Sequence, residues 1–285
     1  MATPINSMNL PESTLDDWMG EFWRIYEHHD RQRDLIEMWA MAAEDASTAG
    51  QGIREADPAG TLRSIAHASC WCLSFVARLF HDGQLPPQFR ISKHFPELHS
   101  LADVVWFKYP AICPRCGKGS CICPILVEAA PVEREMEAAR RKANRPETLA
   151  DWESHFSRIY DVAHLSRSLE ELGFHYEEEV GEVFRAIRRL SVNVSGLSPD
   201  EVKARQVNLV EEIADVVSWT VSVVRKLAKQ AEEIERYAGA AHVLSKRFSL
   251  ASVLWEAYSS RQGLNCLACP ICNYAPCSPE CDTAS

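Results

Sequence analysis

Four acidic residues in the second half of the chain have a spacing suited to binding a metal ion. Glu179 and Glu182 are three positions apart, and Glu212 and Asp215 repeat this interval. Residues three apart project from the same face of an α-helix, so two antiparallel helices would bring the four carboxylates together. Such a group needs a counterion, and all-oxygen ligands suit Mg²⁺ first and Mn²⁺ second. The spacing therefore predicts a divalent-cation site.

The first of the two helices is predicted by an apolar stripe at helical spacing. The stripe consists of Leu172, Tyr176, Val180, Val183, Ile187 and Leu190. Glu179 and Glu182 lie at the edge of this stripe, not on the opposite, solvated face. A chance interval between acids on a charged helix face is the alternative interpretation.

The second helix has a predicted start and a buried middle. Ser198, Pro199 and Glu201 have the order of an N-cap, a first helical residue and a capping-box partner. Asp215 is the only charged residue between Ile213 and Val224. A carboxylate in such an apolar run is costly unless a partner or a metal compensates its charge.

These two motifs carry a resemblance to a known family. Glu-Glu-x-x-Glu at 178–182, followed by Glu-x-x-Asp at 212–215, is similar to the motif of the MazG-type all-α nucleoside triphosphate pyrophosphohydrolases. The resemblance covers residues 149 to 230. It implies catalysis by Glu178, Glu179, Glu182, Glu212 and Asp215, of which the last four bind Mg²⁺. Glu178 would complete the metal shell or accept a proton from the attacking water.

Four further residues are candidates for contact with a substrate. His175 and Trp219 continue the faces that carry the acids, and an indole ring can stack on any base. Ordinary core packing is the alternative for Trp219. Lys203 and Arg205 follow the start of the second helix and could neutralise phosphates. Exposed basic residues without such a role are commoner.

Composition limits the classes of protein to which the chain can belong. Its 285 residues are 46% hydrophobic and 25% charged, which is typical of a globular protein. The net charge of −10 argues against general binding to nucleic acids or anionic membranes. No transmembrane stretch or signal sequence is evident, so we expect a cytoplasmic location. Eleven cysteines in a reducing compartment indicate metal or thiol chemistry in place of disulfides.

Three motifs recur in the same order and predict a tandem duplication. Segments 14–18 and 148–152 share Thr-Leu-x-Asp-Trp, segments 92–95 and 245–248 share Ser-Lys-x-Phe, and segments 113–121 and 269–277 share Cys-Pro-x-Cys-x4-Cys. We therefore expect MazG-like helical-bundle domains at 1–110 and 148–262, cysteine-rich knuckles at 111–125 and 263–285, and a charged linker, or a solvated helix, at 126–147.

The two predicted copies are not chemically equal. Glu44 and Asp45 align with Glu178 and Glu179, but Thr48, Ser64 and His67 replace the other three acids. The first copy should therefore lack the metal site and pair with the second as an intrachain pseudo-dimer. Family members generally pair through helices, which also makes a homodimer compatible with the resemblance.

The cysteine-rich ends each offer four thiolates at close spacing. The sets are Cys113, Cys116, Cys121 and Cys123, and Cys269, Cys272, Cys277 and Cys281. Closed four-thiolate sites favour structural Zn²⁺. Cys266 extends the second set towards iron–sulfur spacing, which keeps that cluster as an alternative. Cys70 and Cys72 lie in an apolar segment and are predicted to belong to the core.

Together, the residues and the resemblance favour an all-α enzyme that binds a nucleotide. The expected reaction is Mg²⁺-dependent hydrolysis of a nucleoside triphosphate to the monophosphate and pyrophosphate. One branch of the family cleaves a phosphoribosyl-nucleotide, so the bond type is better indicated than the substrate. A nucleotide-sensing or zinc-stabilised interaction protein without turnover is the alternative. Pyrophosphate release distinguishes the two.

Overall fold

A computed structural model describes residues 10–123, 132–192, 194–238, 249–259, 267–277 and 281. Across these ranges the regular elements are helices, and no strand is present, which confirms the all-α class. The α-helices are α1 (Leu15–Asp30), α2 (Leu35–Arg54), α3 (Pro58–His81), α4 (Leu101–Lys108), α5 (Glu133–Lys142), α6 (Leu149–His164), α7 (Leu169–Ser191), α8 (Pro199–Ala238) and α9 (Leu250–Tyr258). Short 3₁₀ turns occupy Leu10–Glu12, Pro87–Phe89, Ile91–Lys93 and Val194–Gly196.

The helices begin where the sequence supplies capping residues. Thr14 and Thr148 each form a capping box with an aspartate three residues later. At the start of α8, the amide of Glu201 donates to the Ser198 hydroxyl oxygen at 3.3 Å, and the Ser198 amide donates to the Glu201 carboxylate at 2.8 Å. The predicted start of this helix at Pro199 is therefore confirmed.

Two helical hairpins, α2–α3 and α7–α8, form the centre of the fold. Helix α2 packs against α7, and the Trp39 indole N–H donates to the Val180 carbonyl across that contact at 2.8 Å. Trp39 is fully buried, and so is the apolar stripe predicted for α7. Helix α1 covers α3, and α6 covers α8. The central helices therefore expose their polar edges while they share one hydrophobic core.

The shorter helices pack crosswise between the two halves of the chain. Helix α4 follows α3 in sequence but packs on α8, whereas α9 follows α8 and packs on α3. The backbone amide of Cys121 donates to the Ile159 carbonyl in α6 at 2.6 Å, and the amide of Cys277 donates to the Ile25 carbonyl in α1 at 2.7 Å. Each cysteine-rich segment is therefore attached to the opposite half.

Other sequence-based expectations concern the charged segment between the copies and the cysteines outside the two four-cysteine sets. Part of the charged segment predicted as a linker or solvated helix forms α5. Cys70 and Cys72 are buried in α3, as predicted. Cys266 lies outside the described residues. None of the described helices combines the length and the apolar character that a membrane crossing requires.

We expect Trp39→Phe to lower the free energy of unfolding by about 1–2 kcal/mol, because it removes the buried indole donor and part of the ring. Urea unfolding measures this change. Trp23→Phe is the matched control, since Trp23 is only partly buried. Equal stability of the two variants would contradict a structural role for the contact between Trp39 and Val180.

Candidate functional site

Helices α7 and α8 bring three of the predicted acids together. Glu179, Glu182 and Glu212 can each place a carboxylate oxygen within 4.8 Å of the others. We call these three residues the carboxylate cluster. All three side chains are half-buried at the edge of the hydrophobic core. Their arrangement could hold a metal ion, as the helical spacing predicts.

Neighbouring side chains donate hydrogen bonds to two members of the carboxylate cluster. Arg185 donates to Glu182 at 2.7 Å from the next turn of α7. Asn208 donates to Glu212 at 2.5 Å from the preceding turn of α8. These contacts restrict the rotamers of the carboxylates without filling their full capacity as acceptors.

The fourth acid, Asp215, is bound by residues from a different part of the chain. Lys108, the last residue of α4, places its Nζ 2.5 Å from Oδ2 of Asp215. The hydroxyl of Tyr109 donates to Oδ1. Burial raises the pKa of Asp215, and the lysine and tyrosine contacts oppose that increase. Both carboxylate oxygens therefore have partners from outside the α7–α8 hairpin.

Burial and mutual repulsion disfavour ionisation of two acids in the carboxylate cluster. Burial raises the pKa of Glu179 to about 8, and the charges of the nearby carboxylates add to the increase. Burial also raises the pKa of Glu212. Such shifts arise when acids lack enough opposite charge, and a divalent cation would supply it.

Glu178 lies apart from the carboxylate cluster. Its side chain is exposed, and it accepts a hydrogen bond from Nδ1 of His175 at 3.2 Å. Nε2 of the same imidazole lies 2.6 Å from an Arg167 guanidinium nitrogen. The structure thus places Glu178 and His175 in a polar chain that leads to Arg167.

Four rings form a series of stacked pairs beside the carboxylates. Tyr160 stacks on His164 with centroids 4.5 Å apart, His164 stacks on Trp219 at 4.3 Å, and Trp219 stacks on His175 at 4.8 Å. Burial lowers the pKa of His164 to about 3, so its imidazole is neutral at physiological pH. Two imidazoles already occupy part of the indole surface that we expected to be available to a base.

A cavity of about 440 Å³ opens next to Glu179 and Asp215. Its walls come from α6, from α8 and from the segment that contains the first cysteine set. Three cationic side chains line it, namely Lys108, Arg115 and Arg167. The volume is within the range of small-molecule binding sites. A negatively charged ligand could therefore contact both the cations and a metal held by the acids.

The cationic residues of the cavity differ from those chosen on sequence grounds. Lys203 lies over the Phe95 ring, with its Nζ 5.5 Å from the centroid, and Arg205 donates to the Arg189 carbonyl. Neither lines the cavity. The sequence contained one indication that Lys108 and Arg115 have a specific role. The aligned positions of the second copy are the uncharged residues Ala257 and Ile271.

Both cysteine sets form compact clusters that could hold a metal ion. Within each set, ligand sulfur atoms lie within 4.8 Å of one another. Close pairs include Cys113 and Cys123 at 3.7 Å, and Cys272 and Cys277 at 3.6 Å. A tetrahedral zinc site with Zn–S bonds of about 2.3 Å separates its sulfur atoms by about 3.8 Å. We call the sets the first and second cysteine clusters.

The two cysteine clusters share one backbone geometry. Gly117 follows Cys116 with φ of 65°, and Asn273 follows Cys272 with φ of 61°. Glycine and asparagine are the residues that best tolerate this left-handed conformation. The amide of Gly117 donates to the Cys113 carbonyl at 2.8 Å, and Asn273 repeats the bond in its own cluster at 2.8 Å. The first two cysteines of each cluster therefore flank the same type of backbone turn.

Comparisons of the chain with protein-family models, with curated proteins and with solved structures found no match.

We predict that the carboxylate cluster makes stability depend on pH. In buffer without added divalent cations, Glu179 holds its proton in the folded state up to about pH 8, whereas the unfolded chain releases it near its ordinary pKa of 4.5. The free energy of unfolding should therefore fall as pH rises through this interval, by about 1–2 kcal/mol after allowance for solvent screening. Urea unfolding across the pH range measures this loss.

Glu179→Gln should remove this dependence and become the more stable protein above about pH 8, because glutamine stays neutral. The exposed neighbour gives a control, since Glu178→Gln should follow the wild-type curve. A Glu179→Gln variant with the wild-type pH dependence would contradict the assignment.

Removal of a ligand from either cysteine cluster should destabilise the half on which that cluster docks. In small metal modules the free energy of metal binding is part of the folding free energy, so Cys116→Ser and Cys272→Ser should each lose metal and stability. Elemental analysis with thermal melting measures both effects. Cys72→Ser is the control for metal content, because Cys72 is buried far from either cluster in sequence and belongs to neither. Unchanged metal content and melting in the cluster variants would exclude the metal sites.

Proposed function

We propose that the chain is a Mg²⁺-dependent nucleoside triphosphate pyrophosphohydrolase of the MazG type. The observation that carries the proposal is the carboxylate cluster, one member of which, Glu179, lines a cavity that is also lined by cations. A cluster of carboxylates alone suits a metal, and a cluster of cations alone suits an anion. A site that offers both is suited to a metal-bound polyphosphate, the form in which nucleoside triphosphates react.

Glu179, Glu182 and Glu212 would hold the cation, and Asp215 adjoins them as the fourth acid. A bound Mg²⁺ supplies charge neutralisation at phosphate oxygens and lowers the pKa of bound water. The protein side chains position the reactants. Lys108 and Arg115 lie where they can contact phosphate oxygens, and neutral His164 keeps the inner wall free of additional charge.

The stacked rings favour a nucleotide over inorganic polyphosphate as the substrate. Trp219 and Tyr160 line the same cavity as the cations. A base could stack against the ring surface that the imidazoles leave accessible, since aromatic stacking tolerates any base. Arg167 contacts His175, which in turn hydrogen-bonds to Glu178, so these polar side chains adjoin the aromatic wall.

We further propose that the chain arose by duplication of a helical unit that ends in a zinc-binding knuckle. The matched capping boxes at Thr14 and Thr148, and the matched turns at Gly117 and Asn273, support a repeated unit. The crosswise docking of the knuckles supports an intrachain pseudo-dimer. The sulfur spacings favour zinc in both knuckles, since an iron–sulfur site would need cluster iron and sulfide between more widely separated cysteines.

A pyrophosphate-release assay over common nucleoside triphosphates, with Mg²⁺ or Mn²⁺, tests the proposed function. We expect Glu179→Gln to reduce turnover by a factor of about 100 or more, because it removes a charged metal ligand. The matched control is Asp45→Asn, the aligned position in the first half, which should retain activity close to wild type. Wild-type protein that releases no pyrophosphate from any nucleotide would favour the non-catalytic alternative. Equal losses in both variants would indicate that the first half shares the metal site.

A further inference from the structure

We infer that Lys108 and Arg115, both supplied by the first half of the chain, bind the phosphate groups of the ligand held at the carboxylate cluster of the second half. The inference rests on the proposed function for the identity of the ligand as a metal-bound polyphosphate. We also infer that Lys108 and Asp215 change partners when this ligand binds: Asp215 then contacts the metal ion and Lys108 contacts a phosphate.

The position of Lys108 is the first ground for this inference. Its Nζ lies 2.5 Å from Asp215 and 3.4 Å from the Glu211 carbonyl oxygen. The side chains of Lys108 and Asp215 are 17% and 13% exposed. The pair therefore lies in a largely water-excluded place, where an ammonium group needs a negative partner.

Competition for Asp215 is the second ground. Lys108 and Tyr109 bind its two oxygens, so a cation that binds Asp215 competes with the Lys108 ammonium group for the same negative charge. The displaced ammonium would lose the carboxylate it contacts directly, and a phosphate of the ligand could replace that partner. A phosphate bound to the same cation would reach the cavity wall that Lys108 shares with Arg115. Metal and phosphate binding then favour one another, because each compensates a charge that the other leaves unpaired.

The unequal halves supply an independent ground. Alignment of Trp106 with Trp255 places Ala257 at the position of Lys108, and alignment of the cysteine clusters places Ile271 at that of Arg115. An equivalent site on the first half would therefore have Thr48, Ser64 and His67 in place of three acids. It would also lack both cations. Acids and cations come from opposite halves of the chain, yet the loss of three acids in the first half coincides with the loss of both cations in the second.

Calorimetric titration of the full chain tests the inference, with MgCl₂ alone and with inorganic pyrophosphate in excess Mg²⁺ as the two ligands. The variants are Lys108→Met, which retains the aliphatic stem, and Arg115→Ile, which introduces the residue of the second cysteine cluster. Lys118→Ile is the matched control, because Lys118 is exposed in the same cysteine-rich segment but does not line the cavity.

We expect Lys108→Met to weaken binding of magnesium pyrophosphate by about tenfold or more, the loss typical of a charge-assisted hydrogen bond. Its affinity for Mg²⁺ alone should be equal to or higher than that of the wild type, because a competing cation is removed. Arg115→Ile should weaken only pyrophosphate binding, and Lys118→Ile should change neither affinity. Lys108→Arg, which retains the charge, should recover part of the pyrophosphate affinity.

Wild-type affinity for magnesium pyrophosphate in both Lys108→Met and Arg115→Ile would overturn the inference. An equal loss of affinity for Mg²⁺ and for magnesium pyrophosphate in Lys108→Met, with no effect of Arg115→Ile, would also overturn it. Lys108 would then act only in maintaining the fold. Arg115 is exposed, so its variant remains informative if Lys108→Met does not fold. The predicted binding pattern without hydrolysis of any nucleotide would overturn the proposed function and leave this inference standing.

Discussion

Negative charge on a buried helical hairpin is the constraint around which the rest of the structure is arranged. Helices α7 and α8 bury an apolar face and carry acids at its edge, where water can solvate them only in part. One of these acids, Asp215, is compensated by Lys108 and Tyr109, which lie at the end of α4. The other three form the carboxylate cluster, in which burial raises the pKa of Glu179 and Glu212. The fold therefore compensates Asp215 with Lys108 and Glu182 with Arg185, and the carboxylate cluster could hold a further cation from solution.

This constraint explains why α4 packs across the molecule. If α4 covered its own hairpin, Lys108 would not reach α8, and Asp215 would be a buried carboxylate without a partner. The first cysteine cluster extends the same segment along α6, where Cys121 binds the Ile159 carbonyl. A metal in that cluster would hold the wall of the cavity as well as the local turn. The short segment from Lys108 to Cys123 thus contains both the first cysteine cluster, which is structural, and side chains that line the cavity.

Local features of the site could be predicted from the sequence, whereas its cross-chain features could not. The interval between Glu179 and Glu182 fixes their shared helix face, and the capping residues at Ser198 fix the start of α8. The four cysteines of a cluster lie within one turn-rich segment, so their spacing was also informative. Lys108 reaches Asp215 through tertiary packing of distant helices, and no sequence interval encodes that contact. The stacking of His164 on Trp219 likewise depends on how α6 meets α8.

The docking of Cys277 on Ile25 has a consequence for the order in which the molecule forms during synthesis. The amide that binds the Ile25 carbonyl of α1 belongs to Cys277, a residue of the second half of the described chain. Contacts between such distant residues are slow to form because a long loop must close first. Until translation has passed the second cysteine cluster, the Ile25 carbonyl and the face of α3 that α9 covers lack these partners. Transiently exposed apolar surface favours aggregation of a nascent chain, so chaperone binding would be most useful during that interval.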